Sequence, residues 1–245
     1  MMVAERPPAH FQPSPTLRRY YTTLLRHLGP QGWWPARTRL EVILGAILTQ
    51  NTAWTNAARA LQKLRGAGLL SLKALRGASL AEIEPCIRPA GFYRQKAAAV
   101  RSFLDWLDRT CHGSLHKAFS RPPDGLREEL LGLRGLGPET VDAILLYAGG
   151  KPYFVADAYT RRVLARHAMV SPRAGYTAVQ EFMHRSLPPD PGMFNEFHAL
   201  LVEVGKRYCR RNQALCGECP LEGFLPPGAR ANVQEASAIS RQAAP

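Results

Sequence analysis

Apolar residues recur at helical spacing along most of the chain, and this periodicity restricts the possible folds more than any other feature. The segment from Leu17 to Leu28 is one example, and it stops at Gly29. The segment LEVILGAILTQ, which ends at Gln50, is almost wholly apolar and predicts a buried helix. Nowhere do several β-branched runs of period two occur together. The sequence therefore predicts an all-α protein of roughly nine to eleven helices.

Capping signals and breaks place several of these helices. Ser79 followed by Glu82 is a capping-box pattern and predicts a helix start. Residues 123–150 read as two helices joined by a tight turn, and three more amphipathic segments follow Asp157. Residues 1–15 are Pro-rich, and residues 226–245 lack periodic apolar positions. Both ends are predicted to be disordered tails around a fold that spans residues 16–225.

The charge balance indicates a polyanionic partner. Lys and Arg number 32 and Asp and Glu number 19, so the formal net charge is +13. This excess favours nucleic acid over an acidic membrane surface, while a basic surface that serves only solubility is the alternative. No run of 18 apolar residues exists, so no membrane span is expected. The first residues lack the apolar core of a signal peptide, and we expect a cytoplasmic monomer with reduced thiols.

The turn between the two helices of residues 123–150 reads LRGLGPET. Gly135 and Gly137 can adopt a positive φ, which a turn this short requires. Pro138 suits the first position of the following helix, and Leu133 and Leu136 can pack the turn onto its helices. Outward N–H groups would then form an uncharged site for a DNA phosphate. An ordinary corner between two helices uses the same residue types and is the alternative.

Three segments together resemble the helix-hairpin-helix DNA glycosylase superfamily, that of endonuclease III. They are LEVILGAILTQNTAWTNAARAL, IRPAGFYRQKAAAVRSF, and LRGLGPETVDAILLYA followed by VADAYTRRV. The resemblance covers residues 40–225 and implies a two-lobed all-α fold that acts on damaged double-stranded DNA. It implies a central lobe of about residues 40–150 and a second lobe formed by residues 16–39 and 151–225.

Asp157 occupies the place of the family's essential aspartate, 20 residues after Gly137. It is the only acidic residue between Ala143 and Gln180. Cleavage of an N-glycosidic bond builds positive charge on the sugar, and a carboxylate can stabilise that charge and orient or deprotonate water. The alternative is that Asp157 caps the helix that follows it, and both roles are compatible.

Bifunctional members of the family carry a lysine just after the hairpin, and its amine forms a Schiff base with the sugar. The segment GLGPET places Glu139 there instead, and a carboxylate cannot form a Schiff base. The resemblance therefore implies a monofunctional enzyme that removes the base with water. Lys151 is the less favoured candidate for a substitute amine.

The resemblance also implies a set of DNA contacts. Gln50, Asn51 and Thr52 match the segment that probes the strand beside the lesion, although a helix C-terminal turn would look the same. A charged run is more often a solvated face, but the basic residues near the C-terminal end are candidate phosphate contacts. They are Arg161, Arg162, Arg166, Lys206, Arg207, Arg210 and Arg211. The expected DNA-binding residues are Leu133, Gly135, Gly137, Thr140, Gln50, Asn51, Thr52 and Arg161.

Trp33 and Trp34 precede the buried helix and, with the missing lysine, look most like the 3-methyladenine glycosylase branch. An alkylated purine is cationic, stacks on electron-rich rings and is easily flipped from the duplex. Core packing is the alternative for both tryptophans. Two other functions stay open: a bifunctional glycosylase and lyase for oxidised pyrimidines, and a DNA-binding protein without catalysis.

Cys209, Cys216 and Cys219 have the spacing C-x6-C-x2-C. The resemblance implies a four-iron four-sulfur cluster held by four cysteines, but Leu225 stands at the fourth position. A cluster with another ligand, a zinc site or an empty site, and relic or core cysteines are the alternatives. We expect an absent or labile cluster and no cofactor in the chemistry.

Overall fold

A computed structural model describes residues 14–227, and it confirms the all-α prediction. The helices are α1 (Pro15–Leu28), α2 (Arg39–Leu48), α3 (Trp54–Gly66), α4 (Leu72–Gly77), α5 (Leu80–Ile87), α6 (Tyr93–Cys111), α7 (Leu115–Phe119), α8 (Pro123–Leu131), α9 (Pro138–Ala143), α10 (Ala158–Arg166), α11 (Tyr176–Ser186) and α12 (Pro191–Arg207). Within residues 14–227 there is no β-strand, only an antiparallel bridge between Cys209 and Ala214. The helix α9 continues into a π-helical turn over Ile144–Ala148.

The predicted tails lie almost wholly outside the described residues. At the N-terminal side the fold begins slightly earlier than predicted, because Ser14 caps α1. Its Oγ accepts a hydrogen bond from the N–H of Leu17 at 3.2 Å. No helix in the described part of the chain has the length and apolar character needed to cross a bilayer.

The described residues form two compact units, a central unit of residues 34–151 and a terminal unit of residues 14–33 and 152–227. In the central unit every residue of α2 from Leu40 to Leu48 is buried, as its apolar sequence predicts. It packs against α3, α6 and α9. The one charge in this stretch, Glu41, accepts hydrogen bonds from the N–H of Arg37 at 2.9 Å and the guanidinium of Arg65 at 3.0 Å. The buried carboxylate is therefore paired.

Polar side chains fix the ends of other helices in this unit. The predicted capping box of α5 is present, with the N–H of Ser79 donating to Glu82 at 2.7 Å. Lys96 is buried, and its Nζ donates to the carbonyls of Leu48 at 2.9 Å and Ala90 at 2.7 Å. Burial lowers the pKa of Lys96.

A buried ion pair joins α8 to α9. Asp142 is fully buried, and its Oδ1 accepts a hydrogen bond from Nε of Arg127 at 2.6 Å. A second bond runs from Nη2 of Arg127 to Oδ2 at 3.1 Å. This bidentate geometry fixes the two helices that flank the tight turn.

In the terminal unit, α10 packs along α12 and α1 packs on α12. The apolar face of α1 is formed by Leu17, Tyr20 and Leu24, which are all buried. Gly205 allows α10 to approach α12 closely, because a Cβ at that position would clash with the ring of Tyr159. This close packing positions the N-terminal end of α10.

Candidate active site

The turn of residues 132–137 is a hairpin between α8 and α9 that requires glycine at one position only. Gly135 has φ +85°, and a Cβ there would lie 2.8 Å from the Cβ of Ala99. Gly137 is extended, with φ −89°, so the predicted need for a positive φ at this residue is wrong. A Cβ at Gly137 would meet nothing within 4 Å. Neither the backbone nor the packing of the protein therefore requires glycine at this residue.

The hairpin presents N–H groups outward. Pro138 is the first residue of α9, as predicted, and Leu136 is buried beneath the turn. Among residues 14–227, the N–H groups of Gly135 and Gly137 donate to no acceptor. The first turn of a helix adds N–H groups without an intrahelical acceptor. These donors form an uncharged face that suits a phosphate oxygen.

The segment after α2 is tied to this hairpin. Nε2 of Gln50 donates to the carbonyl of Gly135 at 2.9 Å and to Oγ1 of Thr140 at 2.8 Å. Thr140 is buried, so its hydroxyl supports the hairpin from inside. Oγ1 of Thr52 accepts a hydrogen bond from Asn56 at 3.0 Å. Asn51 is exposed and has φ +51°, so it is the member of this segment that projects into solvent.

Phe92 is a candidate functional residue that sequence reasoning missed. It is 66% exposed and has φ +45°, a conformation that bulky side chains rarely adopt. It lines a groove of about 550 Å³ whose wall also contains Asn51, Arg94, Arg134 and Gly135. Both arginines are exposed. An exposed aromatic ring in a strained conformation beside two cations indicates a nucleic-acid contact.

Trp34 belongs to a half-buried aromatic cluster in the central unit. Its ring centroid lies 5.3 Å from that of Trp54 at 88° and 5.2 Å from that of Tyr147 at 59°. A Cβ at Gly45 would lie 3.1 Å from the Trp34 ring, so α2 leaves room for the indole. Tyr147 lies in the π-helical turn, a feature that is frequent at functional sites. Trp33 is also half-buried, but it falls in the terminal unit.

No lysine stands just after the hairpin, where bifunctional members of the family carry one. Glu139 is exposed in the first turn of α9. Nζ of Lys151 donates to the carbonyl of Arg121 at 3.0 Å. Lys96 is held by two carbonyls. The amines of Lys96 and Lys151 are therefore both hydrogen-bonded to backbone carbonyls.

Asp157 is the N-cap of α10, so the predicted capping role is confirmed. Its Oδ1 accepts a hydrogen bond from the N–H of Thr160 at 2.8 Å, and its side chain is 14% exposed. Burial alone would raise the pKa of Asp157, but His198 and the N–H of Thr160 lower it below its ordinary value. The carboxylate is thus ionised at neutral pH although it lies in a largely dry site.

The basic residues of α10 divide into two groups. Arg162 donates to the carbonyls of Cys209 at 2.6 Å and Gly205 at 3.1 Å. Arg166 donates to the carbonyls of Arg210 at 2.7 Å and Arg211 at 3.0 Å. These two hold the C-terminal loop. Arg161 lines, together with Arg162 and Arg166, an open groove of about 330 Å³ on the terminal unit, beside Ser171 and Pro172.

The three C-terminal cysteines lie around one small cavity. Cys209, Cys216 and Cys219, together with Leu225, line a space of about 20 Å³, which is the size of about one water molecule. Sγ of Cys209 accepts a hydrogen bond from Arg166 at 3.2 Å. Within residues 14–227 no group of three or more His, Cys, Asp or Glu side chains is arranged to hold a metal ion. With the apolar Leu225 beside the three cysteines, the donor set lacks the fourth thiolate that normally holds a four-iron four-sulfur cluster.

The sequence is similar to those of known DNA repair proteins. The family described as HhH-GPD superfamily base excision DNA repair protein matches residues 44–189. A Methanocaldococcus jannaschii protein assigned as a DNA repair glycosylase is 40% identical over 208 residues, which cover 84% of this chain and 94% of that protein. Endonuclease III of Thermotoga maritima is 29% identical over 182 residues, covering 74% of this chain and 80% of that enzyme.

Solved structures show the same fold. The 3-methyladenine DNA glycosylase of H. pylori, bound to 1,N6-ethenoadenine, has a TM-score of 0.67 and 26% identity, covering 78% of this chain and 96% of that one. A non-covalent complex of endonuclease III with DNA has a TM-score of 0.74 and 20% identity, covering 89% and 97%. The chain therefore belongs to the HhH-GPD superfamily of base excision DNA repair proteins, and it is a DNA N-glycosylase with the endonuclease III-like helical fold.

Proposed function

We propose that the enzyme is a monofunctional DNA glycosylase that removes an alkylated base, with Asp157 as its catalytic carboxylate. The observation that carries this proposal is the nearly buried carboxylate at the N-cap of α10, with Oδ1 held by the N–H of Thr160 and Oδ2 facing His198. A buried charge is costly, and a cap alone needs only Ser or Asn. A carboxylate at this position is of use when positive charge develops beside it.

The reaction breaks the bond between C1′ and the base nitrogen, and the base leaves with the electron pair. Asp157 stabilises the cationic sugar while the bond breaks. A water oxygen then bonds to C1′, and Asp157 accepts the proton that this water loses. A base that is already cationic leaves as a neutral molecule and needs no strong acid for its departure.

The cluster of Trp34, Trp54 and Tyr147 supports selection of such a base. Electron-rich rings at two orientations can stack on a flat cation. The H. pylori 3-methyladenine glycosylase, which is 26% identical, also supports this choice over an oxidised pyrimidine. Trp33 is the other candidate for the base pocket.

Glu139 supports the monofunctional reading, because it stands where a lysine would attack the sugar. Lys96 and Lys151 are both engaged by carbonyl oxygens. A Schiff base requires a free, deprotonated amine close to C1′. This arrangement supports hydrolysis by water without strand cleavage.

We further propose that the hairpin binds a DNA phosphate and that Phe92 inserts beside the flipped nucleotide. The exposed Arg94 and Arg134 and the half-buried Arg161 provide positive charge for the backbone. The location in the cytoplasm and the monomeric state stay predictions.

The three cysteines with Leu225 at the fourth position support a protein without a four-iron cluster. The hydrogen bonds of Arg162 and Arg166 hold the loop through its backbone. Iron and sulfide analysis of the purified protein, with its visible absorption spectrum, tests this point. Stoichiometric iron with broad absorption would contradict it.

Excision assays on duplexes that contain 3-methyladenine, ethenoadenine, uracil or thymine glycol test the proposed function. We expect strand breaks only after hot alkali, with an alkylated base removed fastest. Breaks without alkali, or a covalent complex trapped by borohydride, would indicate a lyase. Removal of uracil or thymine glycol at the highest rate would contradict the alkylated-base assignment.

Asp157→Asn is the matched variant, because asparagine is an equally good N-cap. We expect it to fold normally and to bind lesion DNA, while base removal falls by at least about 10³-fold. Unchanged excision would remove Asp157 from the mechanism. No excision by the wild-type enzyme from any substrate would favour a DNA-binding protein without catalysis.

A further inference from the structure

His198 lies beside Asp157 within the terminal unit and has no part in the chemistry described above. It belongs to α12, and its side chain is buried. Nε2 of His198 lies 3.6 Å from Oδ2 of Asp157. The other carboxylate oxygen, Oδ1, accepts the hydrogen bond from Thr160. Each oxygen of Asp157 therefore faces a polar group of the protein.

The imidazole also contacts the segment that leads into Asp157. The rings of Phe154 and His198 are perpendicular, with centroids 6.4 Å apart. Phe154 is itself fixed, because its N–H donates to His184 at 2.8 Å and its carbonyl accepts from Gln180 at 2.7 Å. His198 thus contacts the carboxylate and, through the ring of Phe154, the segment that carries it.

The contact of 3.6 Å is slightly longer than a hydrogen bond. Polar contacts at catalytic groups are often long in the free enzyme and shorten when substrate binds. A protonated Asp157 could neither stabilise a cationic sugar nor accept a proton from water. The enzyme therefore needs a group that keeps this buried carboxylate charged and in one orientation.

We propose that His198 is a positioning residue that holds Asp157 in its ionised form and in one rotamer. The inference rests on the proposed function of Asp157. His198 acts through the carboxylate and does not contact the DNA.

Few other charged groups on the neighbouring elements compete for this role. On α12, Glu203 is paired with Lys206 and Arg207. On α10, Arg162 is bonded to the carbonyls of Gly205 and Cys209, and Arg161 lines the open groove. His198 and the N–H of Thr160 are what lowers the pKa of Asp157 against the effect of burial.

Two variants of His198 separate a polar role from a packing role. His198→Phe keeps the ring volume and removes the polar contact, whereas His198→Gln keeps an N–H donor at a similar reach. For His198→Phe we expect the single-turnover excision rate to fall by about ten- to a hundredfold, with unchanged affinity for lesion DNA. The acid limb of its pH profile should move to higher pH, because only Thr160 then opposes the effect of burial on the pKa of Asp157. His198→Gln should restore most of the rate.

A purely structural role predicts equal losses in the two variants and an acid limb that does not move, and either result would overturn the proposal. An unchanged rate in His198→Phe would overturn it as well.

A second measurement needs no substrate. The free energy of unfolding is measured by urea titration at several pH values, for the wild-type enzyme and His198→Phe, each with and without Asp157→Asn. A lowered pKa gives stability that is lost as the pH falls through the folded value, so in His198→Phe this loss should begin at higher pH. That measurement stands even if no substrate is excised, so it distinguishes a failure of this inference from a failure of the proposed function.

Discussion

Phe92 combines a solvent-exposed aromatic ring with a left-handed backbone, and both features cost stability. If the ring stacks on a base, Phe92→Ala should lower the affinity for lesion duplex by about ten- to a hundredfold, since such stacking contributes about 1–3 kcal/mol. Stability should change by less than about 0.5 kcal/mol. Fluorescence anisotropy and urea unfolding measure the two quantities.

Leu80→Ala is the matched control, because Leu80 is the other large apolar side chain described as exposed, at 41%. It begins α5 and lines no part of the groove. We expect no change in DNA affinity. Equal effects of the two substitutions would contradict a specific role for Phe92.

Asp142 illustrates a charge that serves folding alone. Asp142→Asn removes the charge of the buried carboxylate that pairs with Arg127, and we expect a loss of about 2 kcal/mol in the free energy of unfolding. The exposed pair of Glu181 and Arg185, 3.9 Å apart, provides the comparison. Glu181→Gln should cost less than about 0.5 kcal/mol in the same urea titration. Similar costs would show that the buried pair is not strongly coupled.

At the scale of the element, the N-terminus of α9 can be tested against that of α11. Gly137 and Gly175 are both extended N-caps with open space around them. Aspartate is a favourable N-cap, so Gly137→Asp and Gly175→Asp should both leave stability unchanged or slightly higher. If the hairpin binds a phosphate, only Gly137→Asp should weaken DNA binding, by at least about tenfold. Equal weakening would mean that the added charge acts from a distance.

Elements with a strong local signal were predictable from the sequence. The apolar run of α2, the capping box of Ser79 and the cap at Asp157 each depend on residues a few positions apart. The helices α4 and α7 were missed, because six and five residues are too short to show a helical period.

Features that depend on distant residues were not predictable. Gln50 binds Gly135, which lies 85 residues away, so its role as a hairpin support has no local signature. The exposure and the φ of Phe92 follow from the packing of the groove. Arg162 and Arg166 look like surface cations in the sequence, but their partners are carbonyls of a loop more than 40 residues later.

At the scale of the whole molecule, the net charge of +13 predicts DNA binding that weakens steeply with salt. Each phosphate contact contributes about −0.9 to the slope of log affinity against log salt. Arg161→Gln should therefore make the slope less steep by about 0.9, the contribution of one phosphate contact. Its neighbour Arg162→Gln should leave the slope unchanged and lower stability instead, because Arg162 binds carbonyls. A change of slope in Arg162→Gln would show that this side chain reaches DNA.

The terminal unit is assembled from both ends of the described chain, with α1 packed on α12. During synthesis, residues 34–151 must leave the ribosome before the partner of α1 exists. At about 5–20 residues per second, this interval is on the order of 10 s. Throughout it the apolar face formed by Leu17, Tyr20 and Leu24 has no native surface to cover it. The nascent chain is therefore a candidate client for a ribosome-associated chaperone, and the central unit is the part that can fold first.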